Sequence, residues 1–338
     1  MIRIAATIKD VAKYTGLSIA TISKYINGGN VLENNKLLIE EAIKALDFKV
    51  NEIARGLKTN RSMTIGVLIP SLENIFITSI ISNIESILIQ HGYSTIICDC
   101  REDEKLEKEK TGFLLSKMVD GIITMPCSND GDHIKRVIEK NIPVVLLDRP
   151  IKDINCDVVL VDNLNASYDA IEQLIIRGHK RIGIICGSKD IYTSQERLKG
   201  YLRVHEDYSI KIDPGLIKHG DYQIDGGYRI LNEFLDMESR PTAVFVTNYE
   251  MTLGAIMAIN ERGITVPDDL SIIGFDNIQL ATIVKPTLSI VVQPMQQIGE
   301  TAANILLKRL KGDMSNYPSM FRLKTEVMIK DSICSIAV

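Results

Sequence analysis

The stretch TIKDVAKYTGLSIATISKYIN, residues 7–27, predicts two short helices joined by a tight turn. Thr7 followed three residues later by Asp10 is a capping signal just ahead of an apolar helical stripe. Gly16 interrupts that stripe and permits the left-handed backbone of a turn, after which Ser18 can cap a second helix. The pattern favours a helix-turn-helix, although any small helical hairpin would share it.

The second helix of this stretch divides into two faces. Ile22, Tyr25 and Ile26 recur at helical spacing and are expected to point inward. The opposite face carries small, polar or basic side chains, which suit a helix that lies in a DNA groove against base edges and phosphates. The members of that outward face are Ile19, Ala20, Ser23, Lys24 and Asn27.

Two further segments complete a small N-terminal domain. The apolar spacing of residues 39, 42, 43 and 46 predicts a third helix, which closes a three-helix head over residues 1–50. Residues 51–62, NEIARGLKTNRS, are basic and contain Gly56, which costs a helix roughly 1 kcal/mol relative to alanine. We interpret this segment as a hinge or linker that is helical only when it is supported.

Charge is divided unequally along the 338 residues. The whole chain has a net charge of −4, but residues 1–61 contain 10 lysine and arginine residues against 6 acidic ones. A basic head on an acidic body is typical of phosphate binding by the head alone. With 45% hydrophobic and 24% charged residues, the chain can form two or three globular domains.

Several classes of protein are excluded by absent signals. The six cysteines lack metal-site spacing and mostly lie in apolar runs, which predicts buried, reduced thiols in a cytoplasmic protein. No secretory signal and no apolar run of about 20 residues is present, so we expect no membrane span. Catalytic signatures such as GxSxG, HExxH and GxxxxGK[ST] are absent too. We predict a protein that is not an enzyme and that uses no cofactor or metal.

From residue 63 onward, strand-like and helical patterns alternate. The continuous apolar runs, typical of strands covered on both faces, are residues 63–69, 94–100, 121–127, 144–148, 158–162, 181–187, 243–248, 271–276 and 288–293. They form two sets, which predicts an α/β body of two doubly wound parallel-sheet subdomains. Ligands of such sheets bind beyond the carboxyl ends of the strands, so a small-molecule site is expected between the subdomains.

Polar residues stand at the ends of several predicted strands. Carboxylate and guanidinium groups that converge there suit the vicinal hydroxyls of a sugar, although each alone could be a cap or a surface ion pair. The set comprises Asp148, Arg149, Asn248 and Asp276 at strand ends and Arg197 on a following helix. Phe76 and Tyr222 could stack on a sugar or base ring, or simply pack in the core.

Ordered motifs extend from one end of the chain to the other. They include TIKDVAKYTGLSIATISKYING, NEIARGLK, IGVLIPSLENIF, IPVVLLDR, RGHKRIGIICG, RPTAVFVTN and ERGITVPDDLSIIGFDN. Together they resemble the lactose/galactose repressor (LacI/GalR) family. The resemblance implies a repressor of sugar-utilisation genes, with a periplasmic-binding-protein-like body and a small sugar-like effector held between its subdomains. It also implies a homodimer on near-palindromic double-stranded DNA, with one head on each half-site.

The resemblance also assigns DNA contacts residue by residue. Ile19, Ala20 and Lys24 fall on base-reading positions, and Thr21, Ser23 and Asn27 face phosphates. The hinge helices of the family form on the operator and insert a leucine, here Leu57, into the central minor groove. The remaining DNA-binding positions are Thr7, Ser18, Ala54, Arg55 and Lys58.

The effector pocket of the family maps to Phe76, Asp148, Arg149, Thr193, Arg197, Tyr222, Asn248 and Asp276. The implied subdomains are residues 63–161 with 293–323, and residues 162–292 with 324–338. The chain crosses between them near residues 160–163, 291–294 and 322–326. Tyr249 stands where the family usually has aspartate, which leaves open whether the effector is a sugar. Leu32 stands where the family usually has serine, which weakens the expected cap of the third helix.

Two alternatives remain at this point. Residues 276–299 resemble the catabolite-control regulators, whose corepressor is a phosphorylated carrier protein. However, Gln296 and Asn304 occupy the positions where that group typically has the tyrosine and arginine that hold the phosphoprotein. The body could instead be a sugar-binding module with a vestigial head, but the hinge motif with Leu57 argues against that interpretation.

Overall fold

The computed structural model describes residues 6–26, 28–49, 61–276 and 278–336. The chain divides into a head unit, residues 1–62, and a body unit, residues 63–338. In the head, the three predicted helices are α1 (Ile8–Thr15), α2 (Ile19–Ile26) and α3 (Glu33–Ala45). Their apolar stripes meet in one small core of Val11, Ile22, Ile39 and Ala42. The predicted hinge contacts at residues 54–58, together with Asn27, lie outside the described residues.

The first sheet of the body is made of β1 (Thr64–Ile69), β2 (Ser94–Asp99), β3 (Gly121–Thr124), β4 (Val144–Leu147), β5 (Asp157–Val161) and β11 (Met320–Leu323). Its strand order is β11-β5-β4-β3-β1-β2, and all of its strand pairs are parallel. The helices of this half are α4 (Ile75–Gln90), α5 (Glu104–Ser116), α6 (Asp132–Glu139) and α12 (Met295–Leu310).

The second sheet contains β6 (Ile182–Cys186), β7 (Ile217–His219), β8 (Ala243–Val246), β9 (Ser271–Phe275), β10 (Ser289–Val292) and β12 (Glu326–Met328). Its order, β12-β10-β9-β8-β6-β7, repeats that of the first sheet, except that β12 pairs antiparallel with β10. The helices here are α7 (Asn163–Ile175), α8 (Tyr192–Asp207), α9 (Ile224–Leu235), α10 (Tyr249–Glu261) and α11 (Ile278–Ile283).

Both sheets are covered on both faces, as their apolar sequences require. Every residue of β3, β4, β8 and β9 is buried. In β1, for example, Ile65 and Val67 pack on one side of the sheet while Leu68 joins the cluster on the other side. Burial on both faces is the reason that these strands are continuous apolar runs. The predicted α/β fold class is confirmed.

The chain passes between the sheets three times: after β5, after β10, and between β11 and β12. Because of these crossings, the carboxyl ends of both sheets face each other across one cleft.

Two helices of the second half, α9 and α10, touch through their backbones. A Cβ atom added to Gly227 would lie 2.1 Å from the carbonyl oxygen of Met251, and one added to Gly254 would lie 1.9 Å from that of Ile224. No side chain larger than hydrogen fits at either position. The two helices are therefore held at one separation and one register, and both begin at the cleft.

Candidate functional site

The helix-turn-helix of the head is fixed by the caps that its sequence predicts. The Asp10 carboxylate accepts hydrogen bonds from the Thr7 backbone N–H at 2.8 Å and from the Thr7 hydroxyl at 2.7 Å. Gly16 ends α1 in the left-handed region, with φ of 71°. The Ser18 Oγ then accepts a hydrogen bond from the Thr21 N–H at 3.1 Å, which starts α2. The turn therefore sets the direction of α2 by local hydrogen bonds.

The inward and outward faces of α2 are those that its spacing predicts. Ile22 is fully buried, and the Tyr25 hydroxyl donates to Glu40 on α3 at 2.7 Å. Of the predicted outward side chains that the structure describes, Ile19, Ala20 and Lys24 are exposed and Ser23 is half-buried; Thr21, which the family resemblance assigns to a phosphate, is half-buried too. Ile19 is 45% exposed, which is a large apolar surface to leave in water and which suits contact with thymine methyl groups.

A shallow depression runs beside α2 toward the start of α3. It is lined by Ala20, Thr21, Lys24, Asn30, Val31, Leu32 and Asn35. Leu32 occupies the N-cap position of α3. Unlike the serine expected there from the family resemblance, leucine has no side-chain acceptor, and the helix start has no side-chain cap hydrogen bond. The first turn of α3 therefore lacks the acceptor that would normally satisfy its amide groups, and a phosphate can take that place.

In the body, a cavity of about 340 Å³ lies between the carboxyl ends of the two sheets. The structure brings together at this cavity all eight residues that the sequence assigns to effector binding: Phe76, Asp148, Arg149, Thr193, Arg197, Tyr222, Asn248 and Asp276. They follow strands β4, β8 and β9 or stand near the starts of helices α4, α8 and α9. A cavity of this size is within the range of small-molecule sites, about 300–1,000 Å³.

Arg197 is the most tightly held of these side chains. Its Nε donates to the Asn163 Oδ1 at 2.7 Å, and one terminal nitrogen donates to the backbone oxygen of Thr247. The guanidinium carbon lies 3.8 Å from the centre of the Phe275 ring, so one face of the group is covered. Arg197 is therefore a preformed cation in the wall of the cavity.

Asp276 faces the same part of the cavity and is held on both of its oxygens. Oδ1 accepts a hydrogen bond from the Gln293 Nε2, and Oδ2 accepts one from the Tyr249 backbone N–H at 3.1 Å. Burial raises the pKa of Asp276, while the positive charge of Arg197 opposes that rise. The carboxylate is thus fixed in position and poorly solvated, ready to accept from a ligand donor.

The start of α10 supplies two neighbouring polar side chains, Asn248 and Glu250. Asn248 caps the helix through its Oδ1, which accepts from the Met251 N–H at 3.1 Å. Its Nδ2 donates to the Glu250 Oε2 at 2.7 Å and to the Tyr222 carbonyl oxygen at 3.2 Å. Burial raises the pKa of Glu250 to about 7, and the nearby charge of Asp276 acts in the same direction. Near neutral pH, a cationic neighbour can therefore shift the ionisation of Glu250.

Tyr222 closes one side of the cavity. Its hydroxyl lies 3.1 Å from the Thr193 Oγ1, and its ring lies flat against Gly187, where an added Cβ would come within 2.0 Å of the ring carbon Cζ. Gly187 therefore determines how far the ring can retract from the ligand space.

The first sheet contributes a less crowded wall. Arg149 donates through one terminal nitrogen to the Pro126 carbonyl oxygen at 2.9 Å. Its Nε lies 3.5 Å from the Asp148 Oδ2 and, among the residues that the structure describes, has no hydrogen-bond acceptor. Phe76 adds an apolar surface at the start of α4. This wall offers a guanidinium whose hydrogen-bonding capacity is only partly used.

Three cavity residues have unusual backbone conformations. Asp148, Tyr222 and Asp276 all lie in the left-handed region, with φ of 63°, 65° and 81°. Each such conformation costs a non-glycine residue about 1–3 kcal/mol and tends to occur where function constrains the chain. All three stand directly after a strand or just before a helix, where they turn a side chain into the cavity.

Among the polar residues of the cavity that sequence reasoning missed are Gln293 and Glu250. Gln293 directly follows β10, so the strand-end rule that selected Asp276 would also have selected it. Glu250 lies in the first turn of α10, where an acidic residue is ordinary and gives no signal.

The other candidate groups have structural roles. His179 donates its backbone N–H to the Leu174 oxygen at 3.2 Å at the end of α7, while its buried imidazole bonds to Thr242 and to the Cys334 carbonyl. All six cysteines are free, and four of them are buried. Among the described residues there is no cluster suited to a metal ion, and no helix there is long and apolar enough to cross a membrane.

Comparison with known proteins identifies the family to which this chain is related. Residues 7–51 match the model of the lacI family of bacterial regulatory proteins, and residues 171–333 match that of a periplasmic binding protein-like domain. Catabolite control protein A of Priestia megaterium is 36% identical over 304 residues, which cover 89% of this chain and 92% of that protein. The chain belongs to the lacI family.

Other lacI-family proteins match over nearly the full length. The HTH-type transcriptional repressor PurR of Actinobacillus pleuropneumoniae serotype 3 (strain JL03) is 33% identical over 330 residues, 97% of this chain and 98% of that protein. The crystal structure of the lac repressor dimer bound to operator and the anti-inducer ONPF has a TM-score of 0.88 at 25% identity, covering 98% of this chain and 100% of that one. The family resemblance inferred from the sequence is confirmed.

Proposed function

We propose that this protein represses transcription of sugar-utilisation genes by binding a near-palindromic operator as a homodimer. A small polar effector in the cavity changes the affinity for the operator. The observation that carries the proposal is the convergence of eight predicted residues on one cavity in a chain whose capped, outward-facing α2 suits a DNA groove.

The DNA-binding half of the proposal assigns roles on α2. Lys24 reaches guanine, and Ile19 and Ala20 meet thymine methyl groups in the major groove. Thr21, Ser23 and Asn27 contact phosphates, and the helix-start residues Thr7 and Ser18 orient the two helices against the backbone of the duplex. The net positive charge of residues 1–61 supplies a further attraction that depends on salt.

The effector half of the proposal rests on the geometry of the cleft. A ligand that contacts Arg197 and Asp276 on one wall and Arg149 on the other bridges the two sheets. Such a ligand favours one arrangement of the two halves over another, because it binds the arrangements with different affinities. A coupling of about 1–3 kcal/mol changes operator affinity by roughly 5–150-fold.

The test begins with selection of DNA from a random-sequence library by the full-length protein. We expect a two-fold symmetric sequence to be enriched. Lys24→Ala should then weaken binding to that sequence at least tenfold, measured by fluorescence anisotropy. Lys44→Ala, which removes the same charge from the exposed last turn of α3, should cost much less. Enrichment of no symmetric sequence, or equal losses in the two variants, would contradict the proposal.

We also propose that Leu57, supported by Ala54, enters the minor groove at the centre of the operator while Arg55 and Lys58 contact phosphates. A wedge of this kind unstacks one base step and kinks the duplex. Leu57→Ala should therefore reduce specific binding far more than nonspecific binding, measured with the selected sequence and with a scrambled duplex. Equal reductions would exclude the hinge role.

A second candidate, regulation by a phosphorylated carrier protein, is favoured by the 36% identity to catabolite control protein A. On α12, however, the Gln296 side chain donates to Glu300 at 2.8 Å, and Asn304 is exposed one turn further on. A carboxylate there repels a phosphate. The test is binding of the carrier protein to this protein immobilised on a support. Retention of the phosphorylated form, but not of the dephosphorylated form, would establish this second function.

A further inference from the structure

The charges that line the cavity are strongly unequal. Five carboxylates border it, from Glu73, Glu102, Asp148, Glu250 and Asp276. Only two cationic side chains, Arg149 and Arg197, border it, and the lining residues, all of them described, include no lysine or histidine. The wall therefore has a formal excess of three negative charges when every carboxyl is ionised.

Each of the two arginines has its electrostatic effect on one particular carboxylate. Arg149 lies 3.5 Å from Asp148, and the charge of Arg197 acts on Asp276, whose pKa it lowers against the effect of burial. Glu73 and Glu102 are exposed at the rim, although partial burial of its carboxyl raises the pKa of Glu102. Glu250 is half-buried, and its carboxylate accepts from the neutral amide of Asn248 and from its own backbone N–H, neither of which carries a charge. Glu250 is therefore the cavity carboxylate whose negative charge is least compensated.

An independent observation concerns Gln293, which is 2% exposed. Its Nε2 donates to Asp276, and its Oε1 is a buried acceptor on a residue that lines the cavity. Among the described residues, no donor reaches that Oε1. A buried acceptor without a donor costs about 1–3 kcal/mol, so a ligand that brings an N–H or O–H group to this point recovers that loss.

Glu250, Asp276 and Gln293 border the same part of the cavity. Gln293 bonds to Asp276, and the residue before Glu250 donates its N–H to Asp276 as well. We propose that the effector is an amine-bearing carbohydrate whose protonated amino group sits among Glu250, Asp276 and the Gln293 Oε1. This inference rests on the proposed function, since it names the class of effector that the cavity takes.

An ammonium group fits these three acceptors better than a hydroxyl does. It has three donors and no lone pair, whereas a hydroxyl donates only once and turns lone pairs toward the surrounding carboxylates. It also neutralises part of the excess negative charge, and aromatic rings nearby on Phe76 and Tyr222 offer favourable faces to a cation and to a sugar ring. Sugar phosphates and sugar acids, by the same reasoning, add negative charge and are rejected.

The experiment measures binding to the full-length protein at pH 7 by calorimetry. The probes are glucosamine, galactosamine and mannosamine, their 1,4-linked dimers, the parent neutral sugars, the N-acetyl derivatives and the 6-phosphates. We expect one amine to bind at least tenfold more tightly than its parent sugar and its N-acetyl derivative, with the phosphates weakest. If the neutral sugar or the phosphate binds as tightly as the amine, or no amine binds at millimolar concentration, the inference is wrong.

A variant separates the role of the charge from that of the shape. Glu250→Gln keeps the size of the side chain, and it should lower the affinity for the amine at least tenfold while that for the parent sugar changes less than twofold. Equal losses for both sugars would contradict a charge-specific contact.

Operator binding, measured in the same series, distinguishes the two proposals. A neutral sugar that alters operator affinity when no amine binds leaves the proposed function standing and overturns this inference. An amine that binds through Glu250 but leaves operator affinity unchanged supports the ligand class inferred for the cavity and overturns the proposed effect of the ligand on operator binding.

Discussion

The two walls of the cavity differ in how far their arginine side chains are already hydrogen-bonded. On the wall of the second sheet, Arg197 is bonded to Asn163 and Thr247, and Asp276 is bonded to Gln293 and the Tyr249 N–H. On the wall of the first sheet, Arg149 has one short bond, to the Pro126 oxygen, and its Nε has no acceptor among the described residues. The arginine of one wall is preformed, and the arginine of the other has hydrogen-bonding capacity in reserve.

This difference indicates that the two walls have different roles in the proposed effector response. A preformed wall loses little conformational freedom when a ligand binds, and so it contributes affinity. A wall with unused donors gains new bonds only when the ligand is present, and so it changes its interactions on binding. Bias between two arrangements requires such a differential contact. We expect the second-sheet wall to hold the effector and the first-sheet wall to respond to it.

The largest expected effect comes from removing the centre of the preformed wall. Arg197→Met leaves the buried oxygens of Asn163 and Thr247 without their donor, and it should lower the free energy of unfolding by about 3 kcal/mol or more. Urea denaturation of the body measures this loss. Arg203→Met, an exposed change on the same helix, should cost less than about 0.5 kcal/mol. A loss in Arg197→Met as small as in the control would show that this wall is not preformed.

A smaller effect is expected where the preformed wall meets Tyr222. Gly187→Ala would place a methyl group about where the Tyr222 ring now lies, so the ring must move toward the ligand space. We expect a loss of about 1–3 kcal/mol from overpacking, together with loss of ligand-induced thermal stabilisation. Gly112→Ala on α5, where the added methyl meets nothing within 4 Å, is the matched control and should not destabilise the protein. Unchanged ligand binding in Gly187→Ala would place the ligand elsewhere.

The charge of Glu250 should appear as a pH dependence of stability. Because its pKa in the folded protein is raised to about 7, the folded state keeps a proton that the unfolded state releases between about pH 4.5 and 7. The contribution of this group to stability is therefore present at pH 4 and lost as the pH rises through 7. Glu250→Gln has no carboxyl group to ionise, so its free energy of unfolding should not fall in this way. At pH 8 it should exceed that of the native protein by on the order of 1–2 kcal/mol, and at pH 4 the two values should be similar.

Thermal denaturation at the two pH values measures this difference. Glu238→Gln, which changes an exposed glutamate, should alter stability little at either pH. A gain in Glu250→Gln that is equal at both pH values would indicate packing rather than ionisation.

The smallest effect on stability is expected at the wall with unused donors. The Arg149 and Asp148 side chains are separated by 3.5 Å and Arg149 has only one short hydrogen bond, so Arg149→Met should lower the free energy of unfolding by much less than Arg197→Met does. Ligand affinity should nevertheless fall at least tenfold, because the guanidinium group that lines this side of the cavity is lost, and calorimetry with the tightest-binding sugar measures this. If Arg149→Met destabilised the protein as much as Arg197→Met, the two walls would not differ.

Sequence reasoning identified the elements that depend on local pattern. The buried strands are continuous apolar runs because both faces are covered, and the head begins with a cap at Thr7 and turns at Gly16. The short strands β7, β11 and β12 have no buried residue and hence no apolar signal of their own. Pairing with distant strands defines them, and such pairing is not written in the local sequence.

The cavity was predictable in its list of residues but not in its chemistry. Strand ends selected Asp148 and Asp276 because parallel strands deliver their carboxyl ends to one edge. The left-handed backbone at these residues and the unpaired Gln293 oxygen are products of tertiary packing, which periodicity does not encode. For the same reason, the excess of carboxylates became visible only when Glu102 and Glu250 were found in one place.

The backbone contact of α9 with α10 has a consequence for how this protein can diverge. Because Gly227 and Gly254 admit no side chain, the two helices cannot slide to widen the cavity in a descendant. New effector preferences must arise by substitution of side chains near the starts of those helices, such as Tyr222 and Glu250, while the spacing of the two helices stays the same. In a library of all single substitutions, the two glycines should be among the least tolerant positions, while their neighbours at the cavity should readily yield variants of altered preference.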